Sequence, residues 1–283
     1  MFASGSTARR IEGAEASLTF DVGSGVSRRH PERKIIVRNL GGGAAVHAGG
    51  TPFDKVIGLG FAPLDLDAFT AFERAVHERG GTVQIELSTM ADPAVGKALT
   101  RRGYVLVGFE NVLGFLLEGS SLAIGKAQRG DSPRVEPARA EETADWIALM
   151  AEGFSHPDTF DGPPPHEAFA PDAIAQVMRD VSTVPGYRGF LARREGALAG
   201  AASLRLHAGI AQLTGATTLP AHRRRGVQTA LLRARLAFAS KEGCDLAVVT
   251  TQPGSVSQQN VMRQGFSLLY ARAILCLPPP SAG

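Results

Sequence analysis

"TTLPAHRRRGVQTALL", Thr217 to Leu232, sets three consecutive arginines against a glycine where an extended run gives way to a helical pattern. Val227, Leu231, Ala234 and Phe238 recur at steps of four, three and four, which lays one apolar stripe along a helix that packs on a sheet. Arg233 and Arg235 fall off that stripe and are expected in solvent. Pro220 closes the preceding strand, and Gly226 lets the backbone turn with no side chain in the way. A helix start exposes unpaired N–H groups and about half a positive charge, so an anion can dock there through the main chain. The pattern therefore points to a phosphate or pyrophosphate cradle. Its donors are the N–H groups of Arg225, Gly226, Val227, Gln228 and Thr229, and its clamps are the guanidinium groups of Arg223, Arg224 and Arg225.

Three other readings compete for the same stretch. A solvated basic surface is the usual fate of an arginine run, but it does not need the strand, the proline and the glycine around it. A nucleic-acid recognition helix would be extended by Arg233 and Arg235, yet no second helix stands at helix-turn-helix spacing. A nucleotide triphosphate loop requires GxxxxGK followed by Ser or Thr, which is absent.

Around the cradle the chain repeats itself. "TALLRARLAFASKEG", "DLAVVTT", "GSVSQQNVMRQGF" and "SLLYARAILCL" read as helix, strand, short helix and strand. "DAFTAFERAVHERGG", "TVQIELS", "DPAVGKALTRRGY" and "VLVGFENVLGFLL" read the same way in the first half, and Gly80 to Gly103 spans 23 positions against 22 from Gly243 to Gly265. Upstream lie shorter strands, "KIIVRNLGGGAAVHAGG" in one half and a hairpin around Glu195 and Gly196 followed by "IAQLTGATTL" in the other. The fold class that follows is α/β, with a mixed sheet and helices on both faces in each half. The charged, Pro-containing "GKAQRGDSPRVEP" (Gly125 to Pro137) is the expected linker between 1–128 and 134–277, and "HPDTFDGPPPHEAFAPD" the expected loop near a substrate entrance.

Composition is compatible with two soluble domains: 283 residues, 44% hydrophobic, with 30 basic and 27 acidic side chains for a net charge of +3. So weak an imbalance gives no nucleic-acid coat. Cys244 and Cys276 lack CxxC spacing, and His156 and His166 lack metal-ligand spacing, so neither a disulfide framework nor a metal is expected. No apolar run reaches the roughly 18 to 20 residues of a membrane span, and the first 20 residues lack a secretory core, so the expected location is the cytoplasm.

Val135 to Leu277 resembles the GCN5-related N-acetyltransferase (GNAT) family, in which a strand ending near a proline precedes an (R/Q)xxGx(G/A) pyrophosphate loop. Arg223, Gly226 and Gln228 occupy the motif positions, Gln228 standing where a small residue is usual. The repeat then implies two GNAT-like domains in tandem. The first is divergent, because "GLGFAPLDLDAFT" carries Asp65 and Asp67 where the second has arginines.

The resemblance implies acetyl-CoA as cosubstrate, its pantetheine arm paired with main-chain groups of Thr217, Thr218 and Leu219, and an N–H near Thr218 aimed at the oxyanion. It also assigns Asn260 to the cofactor, where a capping role is the alternative. The family's tyrosine acid, four residues before the "GF" glycine, is Val261 here, which leaves Tyr270 as the nearest candidate acid. His207 is a weaker candidate base, His222 a phosphate-edge residue, and Trp146 a core or cleft-lining residue. The expected activity is acetyl transfer to an amine, of a small molecule, by direct attack in a ternary complex of a monomer or homodimer. A non-catalytic acyl-CoA-binding sensor is the alternative.

Overall fold

A computed structural model describes residues 2–117, 132–156 and 170–280. His166 and most of the expected linker and entrance loop lie outside them. The first half contains α1 (Gly5–Arg29), β1 (Ile36–Asn39), β2 (Ala44–His47), β3 (Lys55–Ile57), α2 (Leu66–His77), β4 (Val83–Ser88), α3 (Pro93–Arg101) and β5 (Val105–Leu116). The second contains β6 (Arg134–Pro137), α4 (Thr143–Phe154), α5 (Pro171–Val181), β7 (Tyr187–Arg194), β8 (Ala197–His207), β9 (Ile210–Thr218), α6 (Val227–Lys241), β10 (Leu246–Thr251), α7 (Val256–Arg263) and β11 (Ser267–Leu277).

These elements form two compact units, and the terminal strands do not stay with their own halves. Residues 2–112 and 268–280 make the first unit; residues 113–117, 132–156 and 170–267 make the second. The last strand of the chain thus joins the first unit, where Arg272–Leu277 pairs antiparallel with Val83–Ser88. Strand β5 runs from the first unit into the second. A division at residues 128 to 134 follows chain order, and this exchange of terminal strands has no signature in the periodicity.

In the first unit the strand order is β1-β2-β3-β4-β11. Phe69 and Phe72 of α2 and Leu99 of α3 pack on Ile36, Ala45, Val56 and Ile85. The alternating positions Ala44 and Ile57 meet Ala16 of α1, so helices cover both faces. The 25-residue α1 was not anticipated. Ser4 caps it by accepting from Thr7 N, and Gly23 lets it press on β2, since a Cβ there would lie 2.7 Å from Val46.

Beneath α1 lies a buried charge network. Arg272 donates to Glu12 (2.8 Å) and Glu86 (3.5 Å), Lys55 donates to Glu86 (2.8 Å), and Tyr270 donates to Glu12 (2.7 Å). Burial, then the neighbouring charge of Glu86, pushes the Glu110 carboxyl up to about 7 against the pull of Lys55 and Arg272. With its folded value above the unfolded one, the native chain holds a proton that the unfolded chain releases. Stability is therefore expected to fall as pH rises from the ordinary carboxylate range to about 7. Thermal unfolding should show a higher midpoint at about pH 5 than at about pH 8, with a flatter profile in Glu110→Gln. Identical slopes in the two proteins would refute the assignment.

The second unit has the order β10-β9-β8-β7-β6. Val227, Leu231, Leu232 and Leu236 of α6 pack with Val261 and Phe266 on Phe190, Leu204, Ala211 and Leu213. Helix α4 covers the opposite face, where Trp146 lies against Gly189 and donates to Ala202 O (2.9 Å). The hairpin at Glu195-Gly196 forms as expected, with φ of 54° and 82°, and Ala208-Gly209 makes a second (47° and 78°). Arg235 departs from expectation. Only 3% of it is exposed, because its guanidinium is satisfied by main-chain carbonyls rather than by water.

Candidate active site

The site is built where β9 and β10 part. Their parallel pairing runs from Leu246↔Ile210 to Val248↔Gln212 and stops there, while β9 continues to Thr218 and β10 to Thr251. Across β9 the ladder to β8 continues through Gly200↔Thr218. Leu219 N donates to Ala199 O (3.0 Å), which fixes the phase of that ladder. Since amide direction alternates along a strand, Leu219 spends its N–H on β8, whereas the main-chain groups of Thr218 and Ala216 face the gap. Thr218 thus keeps its main-chain groups off the β8 ladder. Leu219 differs from expectation in that its N–H is already spent on Ala199 O and is not open to a pantetheine amide. Thr217 is held by close packing: a Cβ on Gly153 of α4 would lie 1.7 Å from its Oγ1, and one on Gly200 of β8 would lie 2.6 Å from its carbonyl oxygen.

Buried polar side-chain atoms without hydrogen-bond partners occur on β9, at the end of β10 and in the turn before α6. Among the described residues they include both amide atoms of Gln212, the Oγ1 atoms of Thr218 and Thr251, and Nδ1 of His222. Leaving such atoms unpaired costs about 1–3 kcal/mol each, which a polar ligand within reach of them would recover. Gln212 and Thr251 were missed in the sequence. The only hints were a lone amide in an apolar strand and a threonine pair ending the next one.

At the mouth of the gap, Pro220–His222 forms a single 3-10 turn and the chain coils through Arg224 (φ 60°) and Gly226 (φ 77°) into α6. Helix α6 has no side-chain cap and no acidic residue in its first turn, and its first helical bond runs from Ala230 N to Gly226 O (2.9 Å). The N–H groups of Val227, Gln228 and Thr229 therefore have no partner within the helix. Arg223, Arg224 and Arg225 cluster beside them, with Arg224 and Arg225 exposed and Arg223 donating to His156 O. The first unit shows the opposite. Asp65 caps α2 by accepting from Ala68 N (2.9 Å), and Asp67 follows in the first turn, so that helix start is filled by the chain's own carboxylates.

Tyr270 belongs to the first unit, where it is buried with its hydroxyl donated to Glu12, and burial together with that carboxylate pushes its proton affinity up. It is a structural tyrosine, and its assignment as the acid is withdrawn. Val261 is 4% exposed and part of the core. Asn260 lies inside α7, accepting from Arg263 (3.5 Å); the cap of that helix is Ser255, which excludes the capping alternative.

This geometry coincides with a known family. Residues 149–266 match the model of the acetyltransferase (GNAT) family, and this part of the chain is a GNAT domain. The whole chain has the fold of tandem GNAT proteins. It is similar over 93% of its length to 89% of a tandem GNAT protein from the clavulanic acid biosynthesis pathway (TM-score 0.64, 13% identity). It is likewise similar over 97% of its length to 96% of a GCN5-related N-acetyltransferase from Kribbella flavida (TM-score 0.62, 17% identity). At these identities the likeness concerns fold alone. No curated protein matches in sequence. No described helix is long and apolar enough to cross a membrane.

Proposed function

We propose that the second unit binds acetyl-CoA and transfers its acetyl group to an amine of a small molecule. The observation that carries this reading is the uncapped start of α6, which follows directly on the strand β9 that parts from β10. The residues present fit the cosubstrate. First-turn N–H groups of Val227, Gln228 and Thr229, with Arg223, Arg224 and Arg225, would hold the diphosphate, and the free main-chain edge of β9 would pair with the pantetheine amides. The cosubstrate supplies an activated acyl thioester. The chain's own contribution is an N–H at Thr218 directed at the developing oxyanion and exclusion of water from the gap. Met150 and Phe154 of α4 line Gly215 and offer the acceptor an apolar wall.

One observation favours a second reading, an acyl-CoA-binding protein without turnover: Val261 fills the family acid's position and is buried in the core. Calorimetry and thiol release separate the two. The full chain is expected to bind CoA with a stoichiometry of about one, since α6 starts open whereas its counterpart α2 is capped by Asp65. It is further expected to release thiol from acetyl-CoA in the presence of a panel of small amines. Saturable binding with no release across the panel would select the sensor, and a stoichiometry of two would contradict the single-site assignment.

A further inference from the structure

Strand β9 carries a bulge, and a buried cation holds it. The β8–β9 ladder pairs Arg205 with Gln212 and then Ser203 with Gly215, so Leu204 faces two residues, Leu213 and Thr214. One extra residue inverts the phase of everything beyond it. Without it, the amides of Ala216 and Thr218 would point into the β8 ladder and those of Thr217 and Leu219 into the gap. At the first rung past the bulge, Arg235 Nη1 donates to Ser203 O (3.0 Å) and to Gly215 O (3.1 Å), one carbonyl on each strand, while its Nε donates to Leu231 O (3.3 Å).

No carboxylate is paired with Arg235 among the described residues, and burial pulls its guanidinium down to about 10. A charge desolvated without a counter-ion costs several kcal/mol, more than an aliphatic side chain at this place on α6. Packing alone does not account for it. The carbonyl pair does, because one guanidinium nitrogen ties the two buried oxygens of the rung beside the bulge together. On the other face, Tyr187 Oη, Ser203 Oγ and Thr214 Oγ1 close a triangle of hydroxyls at 2.8, 3.0 and 3.2 Å, so the bulge is fastened from both sides.

We propose that Arg235 is a positioning residue for acyl transfer: it locks the Leu213–Thr214 bulge in register and so keeps the Ala216 and Thr218 N–H groups facing the gap. The kinetic consequence rests on the acyl-transfer reading; the clamp itself does not. The test compares full-length Arg235→Met and Arg235→Lys with Arg233→Met, which removes an exposed arginine of the same helix. In Arg235→Met, hydrogen exchange at residues 213–218 is expected to rise about ten-fold or more while the rest of the sheet stays protected. Thiol release with the amine panel is expected to fall about 100-fold in kcat, the loss typical of one misplaced oxyanion donor, with CoA affinity changed by less than about five-fold. Arg235→Lys, which can reach one carbonyl at a time, should be intermediate, and Arg233→Met should match the parent.

Parent-like exchange at 213–218 in folded Arg235→Met would overturn the proposal, as would a rise spread evenly over the sheet. Should Arg235→Met fail to fold, Arg235→Lys decides by the same criterion. If the parent protein releases no thiol, the acyl-transfer reading fails, and the exchange experiment still decides whether Arg235 holds the bulge.

Discussion

Replacing Gly226 by valine is expected to weaken CoA binding about 30-fold or more while the protein stays folded. Gly226 has φ 77°, and a Cβ there would meet no protein atom within 4 Å. The fold therefore sees no clash, only the left-handed conformation, which costs a non-glycine residue about 1–2 kcal/mol and a β-branched one more. Valine has two ways to answer that strain, and both harm the cradle. If it relaxes to an extended conformation, the first-turn N–H groups of α6 swing away from a common point. If it stays, its methyls project into the open space that a diphosphate needs. About 2 kcal/mol of lost binding corresponds to the 30-fold change. Alanine, lacking the branched methyls, should lose less. Calorimetry on the folded variants decides, and parent-like affinity in Gly226→Val would mean that the anion does not sit on this turn.

Arg272→Met is expected to be the most destabilising single change in the first unit, by about 3–5 kcal/mol. Arg272 is 1% exposed and faces Glu12, also 1% exposed, and Glu86. An ion pair so deep repays little more than its own desolvation, so replacing the whole network by apolar side chains would be nearly neutral. Removing one partner is different, because Glu12 and Glu86 stay behind, with Lys55 serving only the latter. Burial already pushes the Glu12 carboxyl up even with Arg272 and Tyr270 pulling it down. The unfolding midpoint should drop by roughly 10 °C or more. Arg272→Met combined with Glu12→Gln should recover part of the loss, since the two residues share one network. A double variant no better than the single one would show that the buried charge is not the cause.

The second unit was largely legible in its residues. Helix α6, the Glu195-Gly196 turn and the Gly–aromatic endings each follow from local periodicity or from a φ that glycine adopts easily. Of the stripe, Val227 and Leu231 are buried, whereas Ala234 and Phe238 are half-buried because the buried face turns toward Leu232, Leu236 and Ala239. The missing cradle of the first unit was legible too, since Asp65 caps a helix wherever its neighbours start one.

What escaped depends on long-range geometry. Arg235 falls off the apolar stripe on a helical wheel, and only main-chain carbonyls beside a bulge between two other strands draw it inside. Tyr270 lies four residues past the end of the GNAT match at 266, yet its strand folds with the first unit, beside a glutamate 258 positions earlier. Helix α1 was obscured by Gly13, Gly23 and Gly25, although Ala8, Ile11, Leu18, Val22 and Val26 form its buried face. Glycines that weaken a helical pattern in isolation are, at Gly23, what lets the helix approach the sheet.

The central claim is that a diphosphate is held at the start of α6. Its most direct test is the crystal structure of the full chain with CoA. The account predicts the diphosphate on the N–H groups of Val227 to Thr229 beside Arg223 to Arg225, with the pantetheine arm running along the free edge of β9 toward Thr218. Clear density for CoA at another place, with the start of α6 closed by side chains of the protein, would contradict it.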